Sequence, residues 1–228
     1  MIYTISYVIF HYLIKIVFCG EGLGTDNFPR KGPFIAVFNH NSNFDVLTLS
    51  LVAKFRAMGM GKSELFKVPG LAWWLKKINV YPIIRGTSDV AGFEIIEKKL
   101  QEGGILFISP EGTRKWENGM PPRPRLGFVR MAQSVKCPVV PVAISGTRDI
   151  LPPGAVFPKW KKIVVLVGKP VNLVPIQSRI ENRDILQQQA NEVMRKVYEL
   201  LPPNLRPKTP ILKKGNEKQA SLLLPYEE

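Results

Sequence analysis

Histidine is scarce in this chain: its 228 residues hold two, His11 and His40. Cysteine is equally rare, and Cys19 and Cys137 stand far apart with no Cys-x-x-Cys pair. That excludes a disulfide framework and a cysteine-rich zinc site, and it fits a reducing, cytosolic setting. No Gly-x-Ser-x-Gly occurs, so the nucleophile elbow of a serine hydrolase is missing. Gly61-Lys62-Ser63 ends like a phosphate-binding loop, but Arg56 stands where such a loop requires its first glycine. A metal hydrolase built on His40 and Asp45 lacks a third well-placed ligand, so no metal is expected. Acidic residues are in the minority, 18 against 32 lysines and arginines, for a formal charge of +14. The surface is therefore biased toward polyanions, whether nucleic acid, anionic lipid or a phosphorylated substrate. A basic nucleic-acid-binding module is the non-enzyme alternative, on charge and interleaved aromatics. It leaves the apolar N-terminus and the turn-rich loop after Ser109 unexplained.

What is present begins with that N-terminus. Residues 1–20 are mostly apolar but lack a basic leading region and a small-residue cleavage site, which argues against a removable signal peptide. On a helix, Thr4, His11 and Lys15 form one narrow polar stripe along an apolar cylinder, a shape suited to a membrane interface. The run nearly reaches the roughly 20 residues of a spanning helix, so lying flat and spanning both stay open. The expected organisation is a membrane-associating helix over 1–20, one catalytic domain over 21–201, and a basic, proline-containing, mostly disordered tail over 202–228 with a short apolar patch at Leu222 to Leu224.

Within the domain, a Gly-rich connector (Glu21 to Gly32) leads into a buried strand at Pro33 to Asn39 and a helix at Asp45 to Arg56. Ser63 to Ile78 reads as helix broken or kinked at Pro69-Gly70, followed by a strand at Val80 to Ile84. A helix over Ser88 to Leu100 puts Phe93, Ile96 and Leu100 on one face. Further strands fall at Ile105 to Ser109, Pro138 to Ile144 and Ile163 to Val167. Helices fall at Leu126 to Val135 and at Ile180 to Leu201, the last with Leu186, Ala190, Val193, Val197 and Leu200 inward. This alternation predicts an α/β fold, a largely parallel sheet flanked by helices, with its site just beyond strand ends.

Since His11 belongs to the apolar N-terminus, His40 is the candidate base. It follows the first long strand in Asn39-His40-Asn41-Ser42-Asn43-Phe44-Asp45. A strand-to-helix turn exposes the imidazole and brings Asp45 back beside it, and a carboxylate on one ring nitrogen readies the other to take a proton. The competing reading is that Asn43 or Asp45 caps a helix and His40 bonds locally. The second cluster, Pro110-Glu111-Gly112-Thr113-Arg114, follows the strand Ile105 to Ser109. Gly112 permits close backbone approach, Thr113 offers a hydroxyl, Arg114 suits bidentate phosphate contact, and Glu111 can orient Arg114 or bind a hydroxyl. An ordinary turn with an exposed ion pair is its plain alternative. Lys62 and Arg85 add positive charge near strand ends, and taken singly each also reads as a solvated surface charge. Trp73-Trp74 beside Lys76-Lys77, and Trp160 beside Lys161-Lys162, pair rings with cations as at a headgroup layer, unless the rings pack inside.

Taken in order, these segments resemble the glycerophospholipid acyltransferase family, which includes 1-acyl-glycerol-3-phosphate acyltransferases. The likeness runs over roughly Pro33 to Ile144. Asn39, His40 and Asp45 match an Asn-His-x4-Asp block; Lys62, Leu65, Pro69 and Arg85 match a second; Pro110 to Arg114 match Phe-Pro-Glu-Gly-Thr-Arg; Val139-Val140-Pro141-Val142 match a proline-bearing strand. Ser109 replaces the usual Phe, and Lys115 stands where a small hydroxyl residue is common. Both bear on acceptor preference. The resemblance implies transfer of a fatty-acyl chain from an acyl thioester, acyl-CoA or acyl-ACP as co-substrate with no cofactor, to the free hydroxyl of lysophosphatidate, giving phosphatidate. Another lysophospholipid or glycerol 3-phosphate is the alternative acceptor. His40 is the implied base and Asp45 its partner. Lys62, Arg85, Glu111, Gly112, Thr113 and Arg114 are implied substrate contacts. The expected setting is the cytoplasmic face of a membrane.

Overall fold

The computed structural model describes residues 1–84, 90–114, 119–150, 159–176, 183–207 and 221–226. The strands are β1 (Glu21–Leu23), β2 (Phe34–Phe38), β3 (Met58–Lys62), β4 (Val80–Ile83), β5 (Ile105–Ile108), β6 (Val139–Ser145), β7 (Val164–Val167), β8 (Val171–Leu173) and β9 (Leu223–Pro225). They form one sheet in the order β1-β7-β6-β2-β5-β3-β4, with β8 pairing β6 and β9 pairing β8. From β6 through β2, β5 and β3 to β4 every neighbouring pair is parallel, whereas β7 and β8 run antiparallel to β6. The largely parallel α/β sheet flanked by helices is the expected fold class.

The helices are α1 (Ile2–Tyr12), α2 (Asp45–Thr48), α3 (Pro69–Lys77), α4 (Val90–Gln101), α5 (Gly127–Val135), α6 (Thr147–Ile150) and α7 (Arg183–Glu199). The β2 run Phe-Ile-Ala-Val-Phe is buried throughout, as a central parallel strand covered on both faces requires. Its side chains alternate between two cores. Ile35 and Val37 join Ile96 and Leu100 of α4, Phe128 and Met131 of α5, and Ala190, Val193 and Val197 of α7. Phe34, Ala36 and Phe38 face the other core with Ile14, Phe18, Phe28, Leu49 and Leu51.

Several boundaries differ from those the sequence suggests. The helix expected over Asp45 to Arg56 ends at Thr48 and tightens into a 3-10 turn, Leu49–Leu51. The Ser50 carbonyl accepts from His11 Nδ1 at 2.9 Å and the Lys54 amide donates to Val52, so the next helical bond is not made. Pro69 starts α3 within its first turn, where its missing N–H is harmless, instead of kinking a longer helix. The short strands β1, β3, β8 and β9 escape the periodicity reading. Met-Gly-Met-Gly-Lys of β3 has little intrinsic strand character and is held by its neighbours β5 and β4. Gly22 in the supposed connector sits in β1 for a packing reason, because a Cβ there would meet the Leu51 carbonyl oxygen at 2.5 Å. The tail is not unstructured throughout: Leu223 is buried, β9 pairs β8, and the Val174 amide donates to the Leu222 carbonyl.

The N-terminal helix lies against the domain, continuing α1 as a π-helical turn, Leu13–Val17. Tyr3 donates to the Phe55 carbonyl and accepts from the Ala57 amide, and Trp74 Nε1 donates to Ser6 Oγ. His11, bonded through Nδ1 to the Ser50 carbonyl, faces the protein instead of lining an outward polar stripe with Thr4 and Lys15. Among the described residues no helix is long and apolar enough to cross a membrane.

The two cysteines sit in opposite environments: Cys19 is exposed, while burial pushes the Cys137 thiol up to about 12. At pH 8 Cys137 is therefore held as the protonated, unreactive thiol. A disulfide-exchange reagent is expected to titrate one thiol in the native protein and the second only after denaturant is added.

Candidate active site

The parallel strands deliver the candidate residues to one edge of the sheet. His40 lies two residues beyond β2, and Pro110 to Arg114 lie just beyond β5, the strand beside β2. Lys62 is the last residue of β3, next to β5, and pairs with Ile83 near the end of β4. With strands about 4.8 Å apart, the backbone of β3 runs about 10 Å from that of β2. Arg85 follows β4 but, with Lys115, lies outside the described residues.

His40 Nδ1 is 2.8 Å from Asp45 Oδ2, with the His40 side chain 16% exposed and Asp45 fully buried. The same oxygen accepts from the backbone amides of Asn41 at 2.6 Å and Ser42 at 2.8 Å. Three donors on one oxygen suit a carboxylate anion, so Nδ1 carries its proton toward Asp45 and leaves Nε2 as the basic nitrogen. Asp45 is the first residue of α2, and no side chain caps that helix. Its carboxylate instead folds back on the preceding loop, so the capping alternative does not describe it. The loop's other end is anchored too: Asn39, fully buried, donates Nδ2 to the Ile144 carbonyl at 2.9 Å and accepts the Ile144 amide on Oδ1 at 2.8 Å. That pair of bonds ties the end of β2 to β6.

In the second cluster Glu111 is 3% exposed, Gly112 and Thr113 are half-buried, and Arg114 is exposed. Glu111 Oε1 accepts from the Tyr198 hydroxyl at 2.8 Å. Gly112 has φ +64°, the left-handed region that favours glycine, and a Cβ there would stand 2.6 Å from Arg125 Nε, so a larger residue would strain the backbone and push the Arg125 side chain aside. The loop is therefore more than an exposed turn. Among the described residues, neither the Arg114 nor the Arg125 guanidinium is in an ion pair. Lys62 is exposed at the end of its strand. Ser109 has its hydroxyl buried without a partner among the described residues.

Arg125 and Tyr198 are neighbours that sequence reasoning missed. A signal for Arg125 existed in the basic run Pro122-Arg123-Pro124-Arg125 just before α5. Tyr198 lies 87 residues from Glu111 on a helix whose apolar periodicity marks it only as core. Of the tryptophans, Trp74 packs edge-on to Phe10, while Trp73 and Trp160 remain exposed. No group of three histidine, cysteine, aspartate or glutamate side chains among the described residues is placed to hold a metal ion.

The chain is similar to known proteins over this same region. The family model described as Acyltransferase matches residues 23–145, just over half of the chain. A 1-acyl-sn-glycerol-3-phosphate acyltransferase of Bacillus subtilis is 31% identical over 148 residues, 64% of this chain and 71% of that protein. The human 1-acyl-sn-glycerol-3-phosphate acyltransferase alpha is 30% identical over 133 residues, 57% of this chain and 46% of that protein, so the match spans about half of this longer relative. The crystal structure of the 1-acyl-sn-glycerophosphate acyltransferase from Thermotoga maritima superposes with a TM-score of 0.64 at 25% identity, covering 87% of this chain and 78% of that one. With the His40–Asp45 pair and the Pro110 to Arg114 loop both inside the matched span, the chain belongs to the acyltransferase family of enzymes.

Proposed function

We propose that this enzyme transfers a fatty-acyl chain from an acyl thioester of coenzyme A or acyl carrier protein to the free hydroxyl of 1-acyl-glycerol 3-phosphate, giving phosphatidate. The observation that carries the reading is that a carboxylate-held imidazole and the exposed Arg114 guanidinium, which has no ion-pair partner among the described residues, lie just beyond the adjacent parallel strands β2 and β5. A base next to a phosphate-binding group fits an acceptor whose hydroxyl and phosphate are close together on one glycerol. The names of the similar proteins point to the same acceptor.

In the proposed reaction, His40 Nε2 takes the hydroxyl proton as the glycerol oxygen attacks the thioester carbonyl. The carbon–sulfur bond then breaks, and the proton passes from the imidazolium to the departing sulfur, releasing a free thiol. No acyl-enzyme is needed. Asp45 holds the imidazole in the Nδ1–H tautomer and stabilises the transient imidazolium. General-base help contributes roughly 10²- to 10⁴-fold, and positioning the two substrates supplies much of the rest. Arg114, Arg85 and Lys62 bind the acceptor phosphate, while Glu111, Gly112 and Thr113 shape the glycerol end. Another lysophospholipid or glycerol 3-phosphate is the alternative acceptor.

A lipid acceptor places this site at a membrane surface, and α1 has the form to provide the contact. Its outward side presents Ile5, Val8, Ile9 and Tyr12 to solvent, continued by Leu13 and, at 71% exposure, Ile16. Exposed tryptophan also stands beside lysine in the sequence, Trp73 near Lys76 and Lys77, and Trp160 next to Lys161 and Lys162. Such rings and cations favour headgroups and anionic lipid. The inner side of this segment connects it to the chemistry, because buried Phe18, just past the helical turn, packs edge-on to Phe44, the residue before Asp45. Localisation to the cytoplasmic face belongs to this proposal.

The reaction is tested by incubating the full chain in liposomes with lysophosphatidate and labelled acyl-CoA or acyl carrier protein, and counting product lipid. His40→Ala is expected to lower kcat by at least the roughly 10²- to 10⁴-fold of lost base catalysis. Arg114→Ala is expected to raise the acceptor KM roughly tenfold or more. Turnover that survives His40→Ala undiminished would sink the mechanism. Separately, the pair Ile9→Glu with Ile16→Glu is expected to abolish co-sedimentation with anionic vesicles without moving the unfolding midpoint. Retained binding would remove α1 from the membrane contact.

A further inference from the structure

We propose that Tyr198, near the end of α7, is a positioning residue for the substrate loop, acting through the hydrogen bond that its hydroxyl donates to Glu111 Oε1 at 2.8 Å. Both groups are withdrawn from solvent, Tyr198 to 4% exposure and Glu111 to 3%. A carboxylate so buried needs donors to hold it in one place, and a bond to a charged acceptor is stronger than one between neutral groups. Burial, then the neighbouring Glu111 charge, pushes the Tyr198 phenol well above the usual tyrosine range, so its hydroxyl remains a donor.

The helix that carries Tyr198 is itself immobilised. Val193, Met194 and Val197 are fully buried against the sheet. One and a half turns before Val193, Gln187 donates from Nε2 to the Pro124 carbonyl at 3.2 Å. Just outside these two anchors, the Arg125 amide donates to the Pro110 carbonyl at 3.0 Å. The segment carrying Glu111, Gly112, Thr113 and Arg114 is thus fastened to α7 near both ends, at Glu111 and at Pro124. α7 lies outside the residues that match the family model, 23–145, so the likeness does not assign Tyr198 a part. The role rests on the proposed reading in one respect: Glu111 is taken to serve the acceptor and not the acyl donor.

The test is a double-mutant cycle in the full chain, with Tyr198→Phe, Glu111→Ala and the pair, reading kcat and KM for lysophosphatidate and for the acyl thioester separately. Tyr198→Phe keeps the ring that packs in the core, and its unfolding midpoint checks that the fold is intact. The expected result is a roughly tenfold fall in kcat/KM for the acceptor, an unchanged donor KM, and little further loss from Tyr198→Phe once Glu111 is already alanine. Full additivity, no kinetic effect, or a loss shared by both substrates that tracks the unfolding midpoint would overturn the proposal. If both single variants raise the donor KM instead and remain coupled, Tyr198 positions Glu111 as proposed and the acceptor-side reading of Glu111 fails.

Discussion

The site depends on one oxygen atom, Oδ2 of Asp45, onto which His40 Nδ1 and the amides of Asn41 and Ser42 converge. All three donors precede Asp45 by three to five residues, so satisfying them wraps the chain into a tight loop around a buried charge. The loop cannot relax without stripping Oδ2 of its donors, a large penalty for a buried carboxylate whose Oδ1 has no partner among the described residues. The bonds that stabilise the anion are thus the ones that orient the imidazole. Asn39 extends the constraint by tying the strand end to Ile144 on β6, so the ring is referenced to the sheet rather than to a mobile loop.

The sheet then does the work of assembly. Parallel strands all end on one edge, and the neighbours β2, β5 and β3 bring the imidazole, the Pro110 to Arg114 loop and Lys62 to it in sequence. The two cores on opposite faces hold this edge in register. One core includes α7, which reaches the substrate loop through Tyr198 and Gln187. The other includes Ile14 and Phe18, which dock the N-terminal helix beside Phe44. Under the proposed function, the lipid-facing helix and the base are therefore parts of a single packed layer.

How much of this was legible in the sequence follows from the range of each interaction. The apolar run of β2, the His40–Asp45 spacing and the glycine at 112 are local, and local patterns revealed them. The sheet order is not local, yet alternation of strands and helices implied a parallel arrangement. Short strands were missed where pairing alone creates them, as in Met58–Lys62 with its two glycines. The length of α2 was misjudged because the Ser50 carbonyl is diverted to His11, a contact 39 residues away. Gly22 suggested flexibility and serves close packing instead. Tyr198 was unreadable for a similar reason, since its periodic position announces only that it is buried, and the polar end of the ring gives no sign of its partner.

The central claim is that Asp45 fixes His40 with its proton on Nδ1, leaving Nε2 as the base. Nitrogen-15 NMR of the imidazoles tests it directly, and with two histidines in the chain a His11→Gln variant assigns the signals. The account predicts a neutral His40 with a protonated Nδ1 and an unprotonated Nε2, a pattern lost in Asp45→Asn. A neutral His40 protonated on Nε2 in the wild-type protein would contradict it.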